Sequence, residues 1–276
     1  MRLAGARCLV IGGARRLGRQ LALGLAADGA AVCISSRTAD DEVTDTLSAL
    51  ERAGATAAAA VPGDVGHARA AAALVAAAGE KLGGLDVLVF AASGPFAAQR
   101  PEAIDEEAWD SSFDTIAKGF FFAACAARDT FVAGLSPIAG AIPARTPAPR
   151  EGASDPFAAS PAGACGVVVA ITDLLGVQPW AAFAAHGAAK AAQIHLVKEL
   201  ARAWADDGVR VCGVAPGPVD LEDDEHRAAT LRAAARTETE RLVTPAQVSA
   251  AVRLCVENEG MTGVNVVVDA GALLTS

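Results

Sequence analysis

The chain has 276 residues, 53% of them apolar, which is enough to bury the core of one α/β domain. Its formal net charge of −9 argues against a nucleic-acid or membrane-surface partner, because either rewards a basic face. The six cysteines (Cys8, Cys33, Cys125, Cys165, Cys212, Cys255) lack C-x-x-C spacing and sit mostly in apolar runs, as small buried hydrophobes in a reducing compartment would, not as a metal site or disulfide frame.

A first strand over Arg7–Ile11 begins almost at once, leaves no room for a signal peptide and predicts a cytoplasmic protein. No apolar run is long and charge-free enough to span a membrane. Gly12-Gly13-Ala14-Arg15-Arg16-Leu17-Gly18 follows, then a helix through Leu25. At a first strand-to-helix turn this loop suits a dinucleotide. Gly12 permits the tight turn, Gly18 lets helix and strand approach, and the helix N-terminus offers amides to a pyrophosphate.

The second strand, Ala31–Ser35, runs into Ser36 and Arg37. An NAD enzyme commonly places Asp or Glu there for the ribose hydroxyls. Two hydroxyls with Arg37, and Arg15 from the first loop, instead suit a 2′-phosphate, so NADP(H) is favoured over NAD(H). A solvated Arg37 is the plainer alternative. An Ala-rich stretch to Gly63 holds a weak third strand and leads to Asp64-Val65. By itself Asp64 reads as the cap of a helix beginning near His67, itself a surface position.

Leu85–Ala92 reads as the fourth strand, and Ser93-Gly94-Pro95-Phe96 follows it. A long helix, Ala/Phe-rich on one side, is expected from Ile104 to Phe131. Residues 134–163 hold six of the thirteen prolines and no hydrophobic periodicity, so they read as an excursion or flap and not as a domain boundary. Val167–Ile171 is short, apolar and β-branched, as a strand buried on both faces should be. Asp173 lies at its carboxyl end. His186 and Lys190, one turn apart, open a helix whose Ile194, Val197, Leu200 and Ala201 recur at helical spacing.

Val209–Ala215 gives the sixth strand, ending in Pro216-Gly217. Leu221–Arg241 is charge-dense with a helical pattern around Leu231, Thr244-Pro245 starts another helix, and Val264–Val268 closes the set. The alternation predicts an α/β protein: one Rossmann-like, doubly wound parallel sheet over residues 1–276.

These residues resemble the short-chain dehydrogenase/reductase family over essentially the whole chain. The family writes its first loop Thr-Gly-x-x-x-Gly-x-Gly; here Ile11 and Arg16 replace the threonine and the middle glycine. Its catalytic segment is a strand ending in Ser, then Tyr-x-x-x-Lys. Lys190 matches the lysine, His186 holds the tyrosine position and Asp173 the serine position, and the chain contains no tyrosine at all. Asp at the serine position and Arg in the middle of the loop are similar to the pteridine reductase branch. Phe90 and Ala91 replace both asparagines of the family's Asn-Asn-Ala-Gly, leaving backbone contact near Ala92. Ile116, within Asp114-Thr115-Ile116-Ala117-Lys118-Gly119, replaces an asparagine that normally holds a relay water.

The resemblance implies an NADP(H) site built from Gly12, Arg15, Arg16, Leu17, Gly18, Ser36, Arg37, Asp64, Val65, Ala92, Lys190, Pro216 and Gly217. It implies a substrate lid at about 217–241, and a homo-oligomer, expected to be a tetramer, paired through the fourth and fifth helices. Phe96 reads either as a wall over the nicotinamide or as a core phenylalanine. The expected reaction is hydride transfer from NADPH to a carbonyl or imine of a small molecule, with Asp173, His186 and Lys190 as the catalytic set and no metal. Histidine is easily poised as an acid near neutral pH; Lys190 disfavours an imidazolium and Asp173 favours it. A non-redox enzyme, an isomerase or cyclase, and an inactive NADP(H)-binding scaffold are the alternatives.

Overall fold

The computed structural model describes residues 1–94, 96, 98–133, 165–180, 182–221, 231–232 and 237–274. Seven strands make one parallel sheet in the order β3-β2-β1-β4-β5-β6-β7. They are β1 Arg7–Ile11, β2 Ala31–Ser36, β3 Ala57–Pro62, β4 Val87–Phe90, β5 Gly166–Ile171, β6 Val209–Pro216 and β7 Asn265–Val268. The helices are α1 Arg16–Ala27, α2 Asp41–Ala53, α3 Ala68–Leu82, α4 Glu106–Phe113, α5 Gly119–Ala133, α6 Ala184–Ala203 and α7 Pro245–Glu257.

Two apolar layers explain the β-branched runs. Alternate residues of each central strand face opposite sides. Cys8 and Val10 of β1 and Val167 and Val169 of β5 pack with Leu21, Leu25, Leu50 and Val248 of α1, α2 and α7. Leu9, Ile11 and Val168 pack with Leu74, Phe120 and Val197 of α3, α5 and α6. Both faces are therefore covered, and every residue of β4, β5 and β6 is buried.

Some elements differ from the sequence expectation. The fourth strand stops at Phe90, two residues short of Ala92, because Ala91 turns away after donating to the carbonyl of Ile11 (2.9 Å). The single helix expected over Ile104–Phe131 is broken in two. Asp105 caps α4, accepting from the Ala108 amide at 2.8 Å, and a π-helical turn over Asp114–Lys118 joins α4 to α5. Such turns carry no periodic signal in a sequence. The Pro-rich segment 134–163 lies outside the described residues, as do 222–230 and 233–236 of the expected lid. Among the described residues no helix is long and apolar enough to cross a membrane.

The helices after β1 and β4 leave on opposite faces, which opens a crevice between these neighbouring strands at the carboxyl edge. Gly12 closes the bottom of it. Its φ is +77°, and a Cβ there would lie 3.0 Å from the Ala92 backbone. Gly12→Ala is expected to cost about 1–3 kcal/mol for the left-handed backbone alone, before any displacement of the β4 end. A lower urea midpoint at unchanged m-value would check it.

Candidate active site

In a sheet with all strands parallel, every carboxyl end lies on one edge. The loops after β1 to β6 therefore collect Gly12, Arg37, Asp64, Ala92, Asp173 and Gly217 there. At the β1–α1 turn, a Cβ on Gly18 would run into the carbonyl oxygen of Gly12. Arg16 turns in the left-handed region, with φ +49°. No side chain caps α1, so its first-turn amides have no capping acceptor from the N-cap residue. Ser35 braces this loop: its carbonyl accepts from Gly13 N at 3.1 Å and its hydroxyl lies 3.4 Å from Gly12 N. The sequence singled out Ser36, which is half-buried, but the inward register belongs to Ser35.

Arg15 and Arg37 part company. Arg15, half exposed, pairs with Asp40 (2.7 Å) and with Glu42. Asp40 also accepts from Thr38 (2.8 Å) and caps α2 at Val43, and this hydrogen bonding holds its carboxyl below the usual carboxylate range. Arg37 is exposed at the end of β2 and forms no ion pair among the described residues. Asp64 does not cap α3. Its Oδ1 accepts from Gly66 N (2.9 Å), and the cap position belongs to His67, whose side chain makes no capping bond. Val65 is buried, and its carbonyl would lie 2.9 Å from a Cβ on Gly119, so it packs on the π turn. After β6, Gly217 N donates to Val268 O (2.9 Å), which ties the Pro216-Gly217 turn to β7.

The chemistry-bearing groups gather beyond β5. Asp173 Oδ1 accepts from Leu175 N (2.9 Å) and starts the short 3-10 turn Leu174–Gly176. That turn lies on α6 through glycine contacts: a Cβ on Gly176 would sit 2.7 Å from the Lys190 carbonyl carbon, and one on Gly187 3.0 Å from Leu175 O. The close approach brings Asp173 Oδ2 to 3.6 Å from His186 Nε2. His186 is 5% exposed, and both its ring nitrogens are buried without a hydrogen-bond partner. Phe96 stands edge-on to the imidazole (centroids 5.0 Å apart) and stacks on Phe183 at 4.5 Å, with Trp180 beside Phe183. At 49% exposed, Phe96 is a wall of the cleft and not a core residue.

Lys190 does not bond directly to either partner. Its side chain is 3% exposed, and its Nζ donates to the carbonyl of Ile171 (2.8 Å) and to Gln193 Oε1 (3.2 Å). Burial lowers its pKa from 10.5 to about 8, against the opposing pull of the Asp173 carboxylate. Gln193 was not singled out from the sequence, although it shares a buried stripe with Lys190 and Val197 at helical spacing. Ile116 is wholly buried on the π turn and offers no polar group to this cluster.

The sign of the pH effect follows from proton counts. Below pH 8 both states carry the lysine proton, and the full penalty of burying the ammonium is present. Between about pH 8 and 10.5 the unfolded lysine binds more protons than the folded one, so stability rises with pH. The stability difference between wild type and Lys190→Met should therefore move in the wild type's favour across that window. Urea midpoints taken at steps of pH test this, and a flat difference would place the ammonium in water.

Residues 6–142 match the family model described as short chain dehydrogenase, and residues 153–272 match that described as enoyl-(acyl carrier protein) reductase. The chain is 29% identical to 3beta-hydroxysteroid dehydrogenase 1 of Eggerthella lenta over 280 residues, covering 99% of this chain and 95% of that protein. A short chain dehydrogenase from Burkholderia cenocepacia J2315, solved in complex with NADP, is 26% identical with a TM-score of 0.79 over 99% of this chain and 100% of its own. A dehydrogenase/reductase from Sinorhizobium meliloti 1021 gives 26% and 0.78 over 98% and 95%. Two consecutive models over nearly the whole length, on a parallel sheet shared with these structures, settle the matter: the chain belongs to the short-chain dehydrogenase/reductase family.

Proposed function

We propose that this protein is an NADPH-dependent reductase of a carbonyl or imine in which His186 takes the place of the family's tyrosine as proton donor. The observation that carries this is the buried imidazole, 3.6 Å from a carboxylate and unpartnered at both nitrogens, one helical turn before Lys190. A buried polar ring without a partner is expensive to keep unless something binds to it. With Nε2 turned to Asp173, Nδ1 is the nitrogen left for a substrate oxygen or nitrogen.

The residues fit the cofactor. The uncapped start of α1 and the glycine cradle at Gly12 suit a pyrophosphate. Arg37, without an ion pair among the described residues, beside Ser36 suits a contact to a 2′-phosphate, with Arg15 of the first loop as the second guanidinium. Asp64 and Val65 would border the adenine, and Ala92, Pro216 and Gly217 the nicotinamide end. Bound NADPH would supply a hydride to the substrate carbon. His186 would then deliver the proton to the adjoining heteroatom, Asp173 would hold the ring and balance its charge, and Lys190 would hold the nicotinamide ribose. Asp173 at the serine position and Arg16 in the first loop support a pteridine reductase-like branch.

Phe96, Phe183 and Trp180 form an apolar wall beside His186, which suits a flat, apolar substrate body. The likeness to a 3beta-hydroxysteroid dehydrogenase makes ketones on fused rings the first substrates to assay. The whole chain forms one NADP(H)-binding domain, with the segment at about 217–241 as a lid and that at about 134–163 as an insertion. Trp109 and Phe122 are exposed on α4 and α5, and Trp109 stacks on Phe113, an apolar face that supports a homotetramer. The free cysteines suit the cytoplasm.

His186→Phe should lower turnover by about 10²–10⁴-fold, the usual worth of general acid catalysis, at nearly unchanged NADPH affinity. Substrate conversion without net loss of nicotinamide absorbance would point to an isomerase or cyclase, and no conversion at all to a scaffold. If His186→Tyr creates reductase activity where the parent has none, the reductase reading is abandoned. Arg37→Asp should weaken NADPH by about 10- to 150-fold, since charge-assisted hydrogen bonds contribute about 1.5–3 kcal/mol. Equal wild-type affinity for NADH and NADPH would count against the 2′-phosphate contact. A monomeric mass by light scattering at micromolar concentration would dispose of the tetramer.

A further inference from the structure

Gln193 has a fully buried side chain on α6, yet its amide does only one thing. Its Oε1 lies 3.2 Å from Lys190 Nζ, while Nε2 is buried without a partner. The amide orientation follows from the chemistry, because an ammonium has donors only and must face the oxygen. An apolar side chain would suit the stripe between Lys190 and Val197 better, and a half-satisfied buried amide is destabilising by itself. We infer that Gln193 is a positioning residue: with the Ile171 carbonyl it fixes two of the three Nζ–H bonds of Lys190, so that the third points into the cleft. This rests on the reading of Lys190 as the group that holds the cofactor ribose.

The ammonium is held by neutral oxygens, not by an ion pair. Asp173, on the turn after β5, acts on it through space and makes no direct contact. His186 precedes it by one turn. On the π turn Asp114 pairs with Lys118, and on the outer face of α6 His195 lies 3.4 Å from Glu199. Glu106, Glu107 and Asp110 of α4 are exposed. Arg210 enters from the far end of β6 with its Nη atoms on four carbonyls, and Arg128 of α5 pairs with Asp207. Burial and the through-space pull of Asp173 set the charge of Lys190, and the Gln193 oxygen is the side-chain acceptor in direct contact with it.

The chain contains four lysines, so [ε-13C]lysine labelling of the full-length protein gives few signals, and Lys190→Met assigns the one in question. Gln193→Leu should lower the midpoint of the Lys190 titration by about 1–2 pH units, the worth of one hydrogen bond to a charged group. The isosteric Gln193→Glu should raise it, since a carboxylate stabilises the ammonium. A packing role alone would leave the midpoint unmoved. Midpoints of both variants within 0.2 of wild type would overturn the inference, and Gln193→Glu decides if Gln193→Leu does not fold. NADPH fluorescence titrations on the same samples separate the two levels. If the midpoints shift but NADPH affinity ignores the Lys190 charge, positioning stands and the cofactor-holding reading fails.

Discussion

A single ammonium buried beneath the end of a central strand constrains the candidate site. Removing a charge from water is tolerated only where oxygens replace the lost solvent. The sheet provides the first of these through its own pleat. Thr172 N donates to Val214 on β6, so the carbonyl of Ile171, one residue earlier in the alternation, faces β4. β4 has already stopped at Phe90, opposite Ala170, and no ladder partner remains for that carbonyl. Lys190 occupies it. The early end of β4, which first looks like a ragged edge, is thus tied to the seat of the lysine.

The sheet and its crevice were legible because their signals are local and redundant. Strands covered on both faces must be apolar at successive positions, and β5 could hardly be anything else. Gly12 and Gly18 were legible for a similar reason, since both are places where any Cβ meets backbone. What escaped the sequence depends on pairings between distant elements. The ion pairs of Arg15 are of this kind, since α2 brings Asp40 and Glu42 to it from 25 and more residues away. Gln193 shares the helical spacing of Lys190 and Val197, but its contact with the ammonium is set by side-chain packing that spacing does not give. The π turn has no period of its own, and its flanking helices merge into one apolar pattern.

Family membership fixes the scaffold more firmly than the chemistry. Around Lys190 and His186 the structure gathers apolar and polar groups from several elements. Ile116 brings hydrocarbon to the π turn beside α6, and Gln193 brings an amide to the lysine from within α6. His186 and Asp173 face each other across the 3-10 turn. The ammonium has two oxygen acceptors, whereas the imidazole lies 3.6 Å from a carboxylate with neither nitrogen hydrogen-bonded.

Under the proposed reading an imidazole would stand where the family has a phenol. Its ring is shorter, so a substrate heteroatom would have to come closer to α6 before it met a nitrogen. His186 is also buried, which means that the atom must arrive with its water removed. The aromatic wall suits that requirement. Phe96, edge-on to the imidazole and stacked on Phe183, lines the approach with surfaces that prefer a flat apolar body and hold no water of their own. Asp173 then becomes the polar limit of the cleft. One of its oxygens is bound to the Leu175 amide and the other faces the ring, so the carboxylate is fixed in place while 29% of its side chain stays exposed. In this chain the glycines at 176 and 187 let the turn that bears Asp173 lie close against the helix.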